Sequence, residues 1–154
     1  MATHSTRTRS SLTAISWAMV FASLCLSAAP VSAADIVRLD TKAVADKPGR
    51  YPAAMIGKDT PTFDGSYLEL GQYTTANRTF HVALWESGPG TLVTDSYPND
   101  EYCLVLEGEL TVINQNGSRI EFKPGDTFVI PKGWAGTWHM TTRFKKQFVA
   151  FRPQ

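Results

Sequence analysis

Beyond residue 64 the apolar and polar positions of the chain alternate in short runs and do not recur every three or four residues. A period of two puts every second side chain on one face, so such runs predict strands half-buried against a core. They fall at 66–73, 78–86, 91–95, 101–107, 109–114, 119–122, 127–131, 137–141 and 147–152. Turn-forming residues separate several of them: Gly88-Pro89-Gly90, Pro98-Asn99-Asp100, Asn116-Gly117, Pro124-Gly125-Asp126 and Lys132-Gly133. Asn116-Gly117 between two such runs predicts a tight hairpin, because both residues tolerate positive φ. Short strands with regular turns and no amphipathic helical stripe make the expected class all-β, a sandwich or small barrel over 65–154. From Ala43 to Asp64 the pattern changes: Pro48, Gly49, Pro52, Gly57 and Pro61 interrupt it, and no period survives. Residues 34–64 are therefore expected to form an irregular N-terminal arm that lies over the pocket mouth or a neighbouring copy.

The first residues follow another logic. Residues 1–34 contain no acidic side chain; Arg7 and Arg9 lead into a largely apolar run over 12–26, then small residues. This is the layout of a secretion signal, and Val31-Ser32-Ala33 places small side chains at the −3 and −1 positions of a cleavage site. About 15 apolar residues are short for a membrane span of about 20. Thr8 separates the two arginines, and Leu24 precedes Cys25 where a lipid-anchored precursor has a small residue, so neither variant of the signal is expected. Residues 1–33 are read as cleaved, with Ala34 the adjacent alternative, and the protein as periplasmic or secreted with no membrane contact afterwards.

Composition sharpens this picture by exclusion. The 154 residues carry 15 Lys+Arg against 14 Asp+Glu, a net charge of +1, which offers no electrostatic footprint for nucleic acid. Two Cys and three His exclude a disulfide scaffold and a Cys-rich zinc module. Loss of residues 1–33 removes Cys25 and His4, leaving Cys103, His81 and His139.

The stretch from Gly88 to Met140 resembles the two motifs of the cupin superfamily, small double-stranded β-helix (jelly-roll) barrels. The first family motif runs Gly, five residues, His-x-His, three or four residues, Glu, six residues, Gly. Here Gly88 is followed by five residues, Thr94-Asp95-Ser96, four residues, Glu101, six residues and Gly108. The second runs Gly, five residues, Pro-x-Gly, two residues, His, three residues, Asn, and reads here Gly125, Pro131-Lys132-Gly133, Gly136 and Met140. The backbone markers are kept, whereas Thr94, Ser96 and Gly136 stand at the three histidine positions and only Glu101 is retained. Trp85 to Gly90, Glu101 to Gly108, Pro124 to Pro131, Gly133 to Trp138 and Lys145 to Val149 are similar to the branch containing ureidoglycine aminohydrolase and the ethanolamine-utilisation cupin. The resemblance implies a jelly-roll barrel with an interior site, commonly assembled as a homodimer.

Strand alternation then assigns faces. Thr94 and Ser96 are expected to point inward, as are Glu101, Cys103 and Val105, and Gly136, Trp138 and Met140. By the same parity His139 faces away. His81 shares a face with Ala83 and Trp85, opposite Phe80, Val82 and Leu84, and the pattern leaves open which face lines the cavity. No transition metal is expected; a site would have to draw on Glu101 and His81, with Cys103, Asp95 or Tyr97, and hydroxyls in place of imidazoles are poor donors. The primary expectation is instead a small polar metabolite held in the barrel, with Glu101 as the candidate catalytic or orienting group. Trp85, Thr94, Ser96, Tyr97, Cys103 and Trp138 are the candidate ligand contacts, and Tyr102 a further wall. Burial near the rings would favour the neutral form of Glu101, and pairing with Lys145 its charged form. Cys103 reads as a small buried hydrophobe. Metal-dependent hydrolysis of the ureidoglycine aminohydrolase type and a purely structural assembly role are the alternatives, and enzymatic activity is left open.

Overall fold

The computed structural model describes residues 35–60 and 62–153. The expected signal, with His4 and Cys25, lies outside the described residues. All nine expected strands are present, as β2 (Ser66–Thr74), β3 (Phe80–Ser87), β4 (Gly90–Thr94), β5 (Asp100–Glu107), β6 (Leu110–Asn114), β7 (Arg119–Phe122), β8 (Thr127–Ile130), β9 (Gly136–Met140) and β10 (Phe144–Phe151). A tenth, β1 (Lys47–Arg50), lies in the stretch read as an arm and pairs with β2 along the sheet edge. Pro48 and Gly49 are poor strand formers, and an edge position is where a sheet tolerates them, so no local pattern signals β1. One turn of 3-10 helix follows at Ala53–Met55.

The strands form two antiparallel sheets, ordered β1-β2-β3-β10-β5-β8 and β4-β9-β6-β7. Their facing sides enclose one apolar core in which Trp85, Cys103, Val105, Leu110, Trp138, Met140, Phe144 and Phe148 are buried. This is the all-β class that the alternation and turn spacing predict, arranged as the jelly roll that the resemblance implies. The β6–β7 hairpin closes through Gly117 N–H to Asn114 O (2.8 Å) and Asn114 N–H to Ser118 O (2.9 Å), with only Gly117 of the Asn-Gly pair at positive φ. The loop is thus longer than the two-residue turn that pair suggests. Asn116 instead accepts Ser118 N–H on its side chain at 3.0 Å. Gly108, between β5 and β6, has a φ of +79°, and a Cβ there would stand 2.1 Å from the carbonyl oxygen of Arg143. No other residue fits that turn.

The outer face of the six-stranded sheet is also apolar on β3, where Val82 and Leu84 are buried. The chain before β1 runs across this face. Lys145 Nζ donates to Ala43 O at 2.8 Å, Gln72 Nε2 donates to Asp40 O at 2.7 Å, and Ala45 is buried. The segment after β1 returns to the other sheet, where Ile56 bridges Leu92 and Gly57 N–H donates to Thr91 O at 2.8 Å.

Candidate functional site

Three strands place the charged centre of the barrel. On β10, Phe144, Lys146, Phe148 and Ala150 project inward; Lys146 lies in register with Trp85 on β3 and Val105 on β5. On β5, Glu101, Cys103 and Val105 share that interior, as their alternation requires. Lys146 Nζ lies 2.5 Å from Glu101 Oε1 and 3.6 Å from Cys103 Sγ. Glu101 also accepts the Tyr97 hydroxyl on Oε2 at 2.9 Å and the Cys103 thiol on Oε1 at 3.3 Å. The ammonium is ringed by aromatic faces, 4.6 Å from the Trp138 centroid, 5.1 Å from Phe148 and 5.5 Å from Trp85. A desolvated cation over indole faces gains on the order of 2 kcal/mol, which helps offset the cost of burying it.

Electrostatics fix the protonation states. Burial alone would push the Lys146 ammonium down, but the acidic groups around it, Cys103, Glu101, Tyr97 and Tyr51, together hold it well above the ordinary lysine value. Burial pushes the Cys103 thiol up to about 12, against the pull of Lys146, so the sulfur is a neutral hydrogen-bond donor and no nucleophile. Burial also raises the Tyr97 hydroxyl, and lifts Tyr51 to about 12. At neutral pH the cluster is therefore one ammonium beside the Glu101 carboxyl, among neutral hydroxyls and a thiol.

Beside this cluster opens a small pocket of about 40 Å³, lined by Tyr51, Trp85, Thr94, Tyr97, Trp138 and Lys146, with Met55, Leu92 and Val93 completing the wall. Four expected contacts, Trp85, Thr94, Tyr97 and Trp138, do come together there. Ser96 does not: β4 ends at Thr94, and Ser96 is exposed in the bend that follows, beyond the reach of strand alternation. Cys103 touches Glu101 and Lys146 but is not part of the pocket wall, and neither is Glu101. Three donors occupy the Glu101 carboxylate, which makes it the anchor of Lys146. Its partner is Lys146 and not Lys145, because successive residues of β10 face opposite sides of the sheet. Tyr102 is 44% exposed on the outer face, one residue out of phase with Glu101 and Cys103.

His81 lies on the interior face with Ala83 and Trp85, but it does not meet Glu101. Its Nδ1 is 2.7 Å from Thr74 Oγ1, its Nε2 is 3.4 Å from Glu69 Oε1, and its ring packs edge-on against Phe148. Thus Phe148 stands on the Lys146 side of the ring. His139 faces away from the core, as parity requires, with Nδ1 2.9 Å from Thr91 Oγ1 and 3.8 Å from Asp59 Oδ2. The residues that sequence reasoning missed are Lys146, Tyr51 and Met55. Lys146 had a signal, its phase with Phe144 and Phe148; the two arm residues had none, since only the long-range return of the chain brings them to the pocket.

Residues 74–148 match the EutQ-like cupin domain family. The barrel has the cupin jelly-roll fold. Among solved structures, the Salmonella typhimurium LT2 protein described as ethanolamine utilization protein Q is 24% identical, with a TM-score of 0.50 over 57% of this chain and 71% of that one. The Clostridium difficile EutQ protein is 17% identical, TM-score 0.51, over 64% and 75%. A cupin-like protein from Thermotoga maritima is 14% identical, TM-score 0.55, over 71% and 81%. What this chain shares with them at these identities is the fold. No curated protein matches the chain.

The family resemblance implies a metal, and the donor set of this barrel does not fit one. Among the described residues no three His, Cys, Asp or Glu side chains converge to hold an ion. The retained Glu101 is already paired with an ammonium, and His81 is held by Thr74 and Glu69. At the third histidine position, Gly136, a Cβ would stand 2.3 Å from Trp134 Cζ2 and 2.5 Å from Ile113 O, so the barrel has no room there for any side chain.

Proposed function

We propose that this protein is an exported cupin that binds a small polar metabolite in its barrel and does so without a metal. One observation carries the reading: the buried Lys146 ammonium, anchored by Glu101, lines a pocket walled by Trp85, Trp138 and Tyr51. An apolar cavity with few convergent polar groups is the usual form of a ligand site. The 1–33 segment supports export, and Tyr102, Val129 and Phe151, exposed on the outer face of the six-stranded sheet, support a symmetric homodimer.

A thermal-shift screen of small metabolites on the mature protein tests the reading, because a ligand selective for the folded state must raise Tm. Hits should vanish in Thr94→Phe, which fills the pocket from a half-buried position. Hits that survive that substitution place the ligand elsewhere. Elemental analysis of untagged protein grown in metal-supplemented medium should find less than about a tenth of an equivalent of transition metal, and a stoichiometric ion would overturn the metal-free reading. N-terminal sequencing of the exported form should begin at Ala34 or the residue after it.

A further inference from the structure

β7 ends one sheet and β8 the other, and the stacked rings of Phe122 and Phe128, with centroids 4.3 Å apart, join the two edges. Both strands turn apolar side chains into the space between the sheets. On β7, Ile120 and Phe122 lie opposite Val112 and Leu110, which belong to the core; on β8, Phe128 and Ile130 lie opposite Cys103 and Glu101. Ile120 is nevertheless 47% exposed, so the interior is left unfilled at this corner. A cleft of about 260 Å³ opens there, with the buried Val112, Ile130 and Trp138 in its lining. Among the described residues it shares only Trp138 with the pocket beside Lys146, and no charged side chain lines it. Asn114, also in the lining, is already engaged: its Oδ1 accepts the Trp134 indole N–H at 2.8 Å, and its Nδ2 donates to Ser118 Oγ at 2.9 Å.

We propose that this cleft is a second binding site, which takes an uncharged, apolar molecule of one or two rings. It is separate from the metabolite site at Lys146 and does not rest on it. Size sets the upper bound. A dry apolar cavity of about 150 Å³ takes benzene, so the larger cleft has room for a fused second ring. Chemistry sets the class. An ion would shed its hydration here with no counter-charge in the lining to replace it, and a strongly polar ring would leave its acceptors unpaired. An apolar ring instead covers Ile120 and displaces water that the surrounding rings and aliphatic groups hold poorly. The buried lining residues give the cleft a depth that suits a small molecule more than the flat contact of a second barrel.

Titration calorimetry of the mature protein with indole and purine, bicyclic probes of near-identical shape, tests the site. Indole is expected to bind at least about tenfold more tightly, because purine would bury ring nitrogens without partners. Purine binding as tightly as indole overturns the apolar selection, and no binding of indole up to its solubility limit overturns the site itself. Ile120→Trp fills the cleft from a half-exposed position and keeps a strand-forming side chain. It should weaken indole at least about tenfold; unchanged affinity places the ring elsewhere and overturns the proposal. Spectra of the tryptophan N–H groups give a second readout that needs no variant. The Trp134 signal should shift on indole binding, and a shift at Trp85 in its place would put indole in the Lys146 pocket and overturn the proposal as well.

Discussion

Lys145 and Lys146 are neighbours in sequence, equally buried at 5% exposure, and set in opposite chemical surroundings. Lys145 lies on the outer face of β10, with Glu86 and Glu107 as its register partners, and its ammonium holds the carbonyl of Ala43 in the chain crossing that face. Lys146 lies inside, pinned to a carboxylate and surrounded by rings. The first lysine works through a hydrogen bond to the backbone and fastens a segment. The second works through charge, and its removal would strand Glu101. Burial alone therefore says little about what a lysine contributes; the partner decides.

Substitution should separate the two sharply. Lys146→Met is expected to destabilise the fold by about 3–5 kcal/mol, because it leaves Glu101 buried without its counter-charge. Adding Glu101→Leu should recover most of that loss in urea unfolding, and a double mutant no more stable than Lys146→Met would mean the lysine acts mainly by packing. Lys145→Met should cost about 1–3 kcal/mol, the scale of one charged hydrogen bond. It should also raise amide exchange over 40–45 while leaving the interior amides protected.

The interior cluster also predicts an alkaline limit to stability. The Cys103 thiol, raised to about 12 when folded, ionises at about 9 in the unfolded chain, so its contribution is full below pH 9 and declines from there towards 12. Lys146 adds the same sign at higher pH, because its raised value makes its contribution full below about 10.5 and lost above it. Unfolding free energy should fall by roughly 1.4 kcal/mol per pH unit for each group in its window. Cys103→Ala should delay the onset from near pH 9 to near pH 10. The smallest effect is expected for Thr91→Val, which breaks the contacts to His139 and Asp59 and should cost about 1 kcal/mol, visible as looser protection of Gly57.

The same two lysines show how far the sequence can be read. Alternation located nine strands and put Glu101, Cys103, Trp138 and Met140 inside and His139 outside, because each lies within a strand whose period it shares. It failed where the strand ended or the contact was remote. Ser96 sits past the end of β4, where parity no longer applies. The start of β10 was hidden because Arg143-Phe144-Lys145-Lys146 looks like a surface loop until the barrel supplies both a carboxylate and a backbone carbonyl. Tyr51 and Met55 reach the pocket only through the path of the arm. His81 was left open between two faces, and its face was settled by which side of β3 meets Phe148.

The tight fit at Gly136 closes the third histidine position of the cupin pattern to any single substitution. A histidine placed at 136 would collide with the Trp134 indole, whose Nε1 is fastened to Asn114 Oδ1 at 2.8 Å. Replacing Trp134 first would open a hole beside the core and gain nothing until the histidine arrived. Replacing Gly136 first would break the fold's packing before any ligand could bind. Each single change passes through a worse protein, so point mutation alone offers no downhill path to an imidazole at 136. A designer seeking such a site would have to alter 134, 136 and 146 together.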